Sequence, residues 1–234
     1  MSNKQTNSTL LFPITIVLIG IIISVGIFIY RTKHDTDNSN INKNIPQDVG
    51  IKPITSEDKI LGNPNADIII VEYSDFECPY CKIFHNTMNE LMYEYGRNGK
   101  VAWIFRHFPL ESIHKDAKGS AIASECVYRL GGNEKFWSYS NNLFASSTEI
   151  LNKDNLEKIA TEIGIDKEKY NACINSPEIM TKINADIADG KLIYENDPNF
   201  GTPYSFVITK DGIQTKVIGA QPLLKMKELI NKLI

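Results

Sequence analysis

Cys78-Pro79-Tyr80-Cys81 stands where a buried strand gives way to a helix, and that junction constrains the whole chain. Ahead of it, Asp67-Ile68-Ile69-Ile70-Val71-Glu72-Tyr73 is a β-branched run too short for a helix and apolar on both faces, the pattern of a central parallel strand. Behind it, Ile83, Phe84, Met88, Leu91, Met92 and Tyr95 recur at helical spacing until Gly96, so a helix is expected over 79–96. Lys100 to Phe108 reads as a second strand before Pro109, and strand, helix and strand make a right-handed crossover.

From Glu111 to about Asn196 the periodicity is helical, with helices expected near 113–130, 134–145, 153–163, 166–175 and 177–194. Strand character returns at Tyr204 to Thr209, and Asp211-Gly212 signals a two-residue hairpin before Ile213 to Ile218. Pro222 opens a last helix whose apolar face is Leu223, Leu224, Met226, Leu229, Ile230 and Leu233. The expected order is β-α-β, a helical block, then β-β-α.

The cysteine pair carries the chemistry. Pro79 suits the first helical position, where no N–H is needed, which places Cys78 at the N-cap. Free amide N–H groups and the helix dipole favour a thiolate there, so Cys78 is the expected nucleophile. Cys81 lies nearly one turn on, screened from solvent, able to close a disulfide with Cys78 or to attack a mixed disulfide formed there. Asp75 and Glu77 flank the motif, and their charge should raise the Cys78 pKa somewhat. Attachment of a c-type haem needs His directly after the second cysteine, and Lys82 occupies that place. A structural zinc site needs four ligands, but Cys126 and Cys173 stand alone and His34, His85, His107 and His114 show no paired spacing, so no metal is expected. Two inert thiols at a strand end are the plain alternative.

Leu10 to Tyr30 contains no charged side chain and, at about 1.5 Å per helical residue, spans roughly 31 Å, one bilayer crossing. The run is longer than the apolar core of a cleaved signal peptide and ends at Tyr30-Arg31-Thr32-Lys33, so it reads as an uncleaved anchor behind a short tail, 1–9. Lys4 and the amino terminus nearly balance Arg31 and Lys33, leaving orientation undecided by charge. Residues 31–55, rich in Asn and Asp, are expected to form a flexible tether. The remaining body, 56–234, is comfortable for one domain. The 25 basic and 28 acidic side chains give a formal charge of -3, without the excess of positive charge that nucleic-acid binding requires.

Leu61-Gly62-Asn63-Pro64-Asn65-Ala66, Ser74-Asp75-Phe76-Glu77-Cys78-Pro79-Tyr80-Cys81, Phe105-Arg106-His107-Phe108-Pro109-Leu110 with Ile113-His114, and Gly201-Thr202-Pro203-Tyr204 together resemble the membrane-anchored branch of the DsbA-like thioredoxin-fold thiol-disulfide oxidoreductases. The resemblance covers nearly all of residues 60–234. It implies an α/β thioredoxin fold, with core 60–110 and 197–234 interrupted by a helical insertion, 111–196. Pro203 corresponds to the family's cis-proline, packed on the cysteine pair, and Thr202 would offer main-chain groups to an extended client. The ordinary alternative is a proline that starts an edge strand. Glu72, six residues before Cys78, matches a buried acid that assists proton transfer at the second cysteine, and burial should raise its pKa. The alternative is a surface carboxylate on a strand edge. A Cys126–Cys173 disulfide would fit the resemblance and an oxidising compartment, the competing reading being two buried free thiols. That bond would place the body outside the cytoplasm.

Tyr80 departs from the best-known oxidases, which carry His in the dipeptide and so a potential positive charge beside the thiolate. The expected function is an anchored, extracytoplasmic, monomeric enzyme without cofactor that introduces disulfides into exported proteins, reoxidised by a membrane quinone-linked protein. The alternatives are a reductase that keeps client thiols reduced and a non-enzymatic module holding a soft metal ion such as Cu(I).

Overall fold

The computed structural model describes residues 50–147 and 151–234. The tail 1–9, the expected membrane segment 10–30 and most of the expected tether lie outside the described residues. Among the described residues, no helix is long and apolar enough to cross a membrane.

The chain order is β1 (Lys59–Gly62), β2 (Ile68–Ser74), α1 (Pro79–Leu91), β3 (Val101–His107), α2 (Ala117–Ala145), α3 (Lys153–Glu162), α4 (Lys167–Ile174), α5 (Pro177–Asn196), β4 (Tyr204–Thr209), β5 (Gln214–Ile218) and α6 (Leu223–Leu233). The five strands form one sheet in the order β1-β3-β2-β4-β5. β2 pairs parallel with β3 and antiparallel with β4, and every residue of all three is buried. This is a thioredoxin-like α/β fold with an inserted helical block, the architecture that the resemblance implies.

Several expectations are corrected. β1 is an additional strand, antiparallel to β3. The tether ends earlier than 55: Ile54 is buried, the Lys52 amide donates to Asp189 Oδ1 at 2.7 Å, and the Lys52 ammonium pairs with Asp186. Chain that carries a buried Ile and a half-buried lysine paired with a buried carboxylate has joined the body. Helix α1 stops at Leu91, and a wider π-type turn over Met92–Gly96 completes the expected span. α2 begins at Ala117 rather than 113; its break at Gly132, whose φ of 74° only glycine adopts without strain, separates the two helices expected near 113–130 and 134–145. The hairpin loop is three residues rather than two. Thr209 N–H donates to Ile213 C=O at 3.0 Å and Gly212 sits at φ 86°, the type I turn with a left-handed glycine that such loops use.

Alternation along β2 and β3 divides the interior into two layers. Ile68, Ile70, Val101, Trp103 and Phe105 meet Cys81, Phe84, Met88, Phe136, Phe144 and Ile230 in one apolar core. Cys126 of α2 and Cys173 of α4 are joined by a disulfide, Cα–Cα 5.7 Å, which closes a 47-residue separation and by chain entropy stabilises the insertion by about 4 kcal/mol.

Two buried ion clusters fasten the insertion to the sheet. On one face Arg106 donates to Asp58 at 3.2 Å and to Asp189 at 3.0 Å, and Tyr73 donates to Asp189. On the other, Lys59 pairs with Glu125 of α2, with His107 Nε2 at 3.4 Å from the same carboxylate. Burial by itself would raise the Glu125 carboxyl, but His107 and Lys59 outweigh it and hold the group at about 2, against an ordinary 4.5. A depressed carboxylate contributes stability that is present above its unfolded pKa and lost as pH falls through the folded one. Glu125→Gln should therefore destabilise the protein by about 3 to 5 kcal/mol at pH 7, because Lys59 is left buried without its counter-charge. In urea titrations the gap to the unsubstituted protein should narrow as pH falls from about 4.5 towards 2. A gap independent of pH would remove this role.

Candidate active site

Strand β2 delivers the chain to the sheet's end, and the turn at Asp75-Phe76-Glu77 starts α1. Cys78 is the N-cap of α1 with φ -73° and ψ 122°, and Pro79 occupies the first turn. The first helical bond runs from the Lys82 N–H to the Cys78 carbonyl at 3.1 Å. Cys78 keeps an opening of 4% exposure whereas Cys81 has none, so an outside reagent meets Cys78 first. Both are free thiols in this structure.

The Thr202–Pro203 peptide is cis, and it brings the Thr202 carbonyl to 3.3 Å from Cys78 Sγ. The Pro203 carbonyl accepts from the Gly219 N–H at 3.0 Å, which ties this loop to the end of β5. The Thr202 hydroxyl is buried and lacks a partner, so it is free to turn towards a thiolate.

The two cysteines are driven apart in acidity. The Cys81 thiol, the Thr202 side chain and the Cys81 and Tyr80 amides stabilise a Cys78 thiolate against the opposing effect of burial, and bring its pKa from 9 to about 6. Burial, reinforced by Cys78 and Glu72, pushes Cys81 well above its ordinary value. A nucleophile that is ionised at neutral pH therefore sits beside a buried thiol that is not.

Glu72 is fully buried on β2, not on a strand edge, and Oε2 accepts the Trp103 indole N–H at 2.9 Å. Burial raises its carboxyl to about 7, with the Ser74 hydroxyl and Trp103 restraining the shift. Trp103 and Ser74 carry no motif that marks them in the sequence. Trp103 could have been found only from strand register, because Ile70↔Trp103 pairing sets the indole diagonal to Glu72 on the same face.

The Asp75 and Glu77 carboxylates make their hydrogen bonds away from Cys78. Asp75 is buried and accepts from the Glu77 and Leu110 amides at 2.8 Å and from His114 Nδ1 at 2.8 Å. Glu77 Oε2 accepts the Asp116 N–H at 2.8 Å. Both carboxylates are spent tying the active-site turn to the entry of the helical insertion. Tyr80 is 63% exposed and brings no positive charge to the site. Among the described residues, no group of three or more His, Cys, Asp or Glu side chains is placed to hold a metal ion.

Fold and site together define a DsbA-like dithiol protein. The profile described as thioredoxin matches residues 55–208, and the chain belongs to the thioredoxin family. Crystalline alpha-DsbA1 of Wolbachia pipientis is 28% identical, superposes with a TM-score of 0.63, and the match covers 77% of this chain and 92% of that one. A putative protein-disulfide oxidoreductase of Rickettsia prowazekii is 29% identical over 188 residues, 78% of this chain and 64% of that protein. The Na(+)/H(+) antiporter NhaA 1 of Mycolicibacterium gilvum is 31% identical over 168 residues, 69% of this chain. The matched region spans only about a quarter (26%) of that antiporter's length.

The separation of the two thiols can be measured directly. Iodoacetamide alkylation of the reduced full-length protein should label Cys78 with a midpoint near pH 6, while Cys81 stays unlabelled through pH 9. Mass mapping that finds the two thiols labelled at equal rates would remove the assignment of Cys78 as nucleophile.

Proposed function

We propose that the protein is a thiol-disulfide oxidoreductase that passes a Cys78–Cys81 disulfide to thiols of exported proteins. The observation that carries this reading is the stabilised Cys78 thiolate beside a buried, protonated Cys81. A client thiolate attacks Cys78, the Cys78–Cys81 bond breaks, and the electron pair goes to Cys81, which takes a proton from Glu72. A second client thiolate then attacks the client sulfur of the mixed disulfide. The client leaves oxidised and the protein is left as the dithiol.

Thiolate stabilisation bears on direction. At pH 7 a thiol that ionises near 6 rather than 9 favours the reduced state by about 1.4 kcal/mol, or about 30 mV, and makes the disulfide more oxidising. The cis Thr202–Pro203 loop lies beside Cys78, where Thr202 main-chain groups would receive an extended client.

The Cys126–Cys173 disulfide supports an oxidising compartment, since such bonds seldom persist among cytosolic reductants. Residues 10–30 supply an apolar run of bilayer length, and on this reading anchor the domain, 56–234, outside the cytoplasm. A membrane quinone-linked protein would restore the disulfide. The domain would act as a monomer.

The potential of the Cys78–Cys81 couple in the detergent-solubilised full-length protein, read by alkylation in glutathione buffers, tests the direction. A nucleophile near pKa 6 falls between those of thioredoxin and DsbA, so the potential should lie between about -230 and about -150 mV. A value near about -270 mV would assign the reverse direction, that of a reductase.

A further inference from the structure

Glu72 is set apart from the other buried carboxylates. Asp58 and Asp189 meet Arg106, Asp186 meets Lys52 and Lys182, Glu125 meets Lys59, Asp197 meets Lys216, and Asp75 takes hydrogen bonds from His114 and the Glu77 and Leu110 amides. Among the described residues Glu72 has no cation partner. Its Oε2 takes the indole N–H of Trp103, and its Oε1 is buried without a partner. The indole is itself immobilised, packed between His85 at 5.1 Å and Trp137 at 4.5 Å between ring centroids. An N–H held so firmly fixes which carboxylate oxygen is committed and which is free.

We propose that Trp103 is a positioning residue for the proton transfer at Cys81: its indole N–H pins Oε2 of Glu72, supports the carboxylate in place of a cation, and leaves Oε1 as the proton-exchanging atom. The inference rests on the role given to Glu72 above. In the resolving direction, the Cys81 S–H proton passes to Oε1, the sulfur attacks Cys78 of a mixed disulfide, and the outside thiolate leaves. In the oxidising direction Oε1 returns that proton to Cys81 as the intramolecular disulfide opens. Atoms and charge balance in both directions, and Trp103 donates throughout without losing its proton.

The groups facing the carboxylate are few. Cys78 and Cys81 approach it from α1, the Ser74 hydroxyl lies on its own strand, and β4 sets Ser205 opposite it. His85, on the far side of the indole, is held neutral by burial down to about 4. Among the described residues, nothing else that titrates between pH 5 and 9 is in place to substitute for the indole, so removal of one N–H should be felt by Glu72 alone.

The test is the pH profile of glutathione release from the Cys78–glutathione mixed disulfide of the full-length protein, followed from pH 5.5 to 9.5. Trp103→Phe keeps the ring and removes the N–H. Its profile should shift upward by about one pH unit, with release about fivefold slower at pH 7 and recovering at high pH. A profile that coincides with that of the unsubstituted protein, or a loss that does not depend on pH, overturns the proposal. Glu72→Gln separates the two layers of the argument. If that variant retains the original profile, the role of Glu72 itself fails; if it flattens the profile while Trp103→Phe does not move it, only the role of Trp103 fails. Should Trp103→Phe not fold, the indole proton of Trp103 in the unsubstituted protein, assigned against Trp137→Phe, gives the same decision. Its resonance should titrate near pH 7 and cease to do so in Glu72→Gln, and a resonance that does not move overturns the proposal.

Discussion

The parallel pairing of β2 with β3 is the constraint on which the rest depends. Its register, Ile70↔Trp103 through Ser74↔His107, decides in one step what each face of the sheet contains. Glu72 and Trp103 fall on the face that meets α1 and the cysteines, while Tyr73 and Arg106 fall on the face that meets Asp58 and Asp189. A slip of one residue would send the acid to the wrong layer and a guanidinium into the aromatic core, at a cost no local adjustment could recover. The face-specific buried partners of Glu72, Tyr73 and Arg106 hold that register. The site is thus a consequence of strand alignment before it is a consequence of any motif.

Burial of charge shows where the structure is fastened and where it is left to move. A buried carboxylate is expensive unless paired, and removal of one partner leaves the other stranded. The clusters around Arg106 and around Lys59 meet that cost with close counter-charges, and they link the first residues of the body, the sheet and the helical insertion. Asp75 is held instead by hydrogen bonds from His114 and two amides at the foot of the active-site turn. Glu72 has only neutral groups, the Ser74 hydroxyl and the Trp103 indole, and burial correspondingly raises its carboxyl to about 7. A paired acid would be fixed as an anion and useless as a proton donor near neutrality. On the proposed mechanism, the missing cation is what lets this one exchange a proton.

The sequence made legible those features that rest on periodicity or on a short local motif. Cys78 at the start of a helix, Cys81 behind it, the β-α-β opening, the helical block and the closing hairpin and helix could all be placed from apolar spacing and Pro79. β1 escaped because four residues, Lys59-Ile60-Leu61-Gly62, carry too little alternation, and because its lysine is buried against Glu125, which no single-residue preference anticipates. The close of the tether escaped for a similar reason: Lys52 looks like solvated linker until Asp186 and Asp189 appear, more than a hundred residues later in the chain. Asp75 and Glu77 were visible beside the motif, but their partners, His114 and the amides of Leu110 and Asp116, are set by the tertiary path. Proximity in sequence suggested electrostatic influence on Cys78; the fold uses both carboxylates as ties.

The same distinction explains how an exposed tyrosine in the dipeptide is compatible with a reactive thiolate. Tyr80 offers no charge, so the stabilisation of Cys78 must come from groups that sequence position alone supplies, the free amides of a helix start and the neighbouring thiol, together with the Thr202 side chain that the fold brings from the far end of the chain. These are hydrogen-bond donors rather than cations, and they act over contact distances. Their effect is lost when Cys78 enters a disulfide, because the acceptor they serve is the thiolate. The environment therefore discriminates between redox states rather than adding a uniform field. With Cys81 kept protonated by burial and Glu72 poised near neutrality, the reduced state is favoured through one sulfur alone. On the proposed mechanism, the second sulfur stays available to take back the disulfide when the acid accepts its proton.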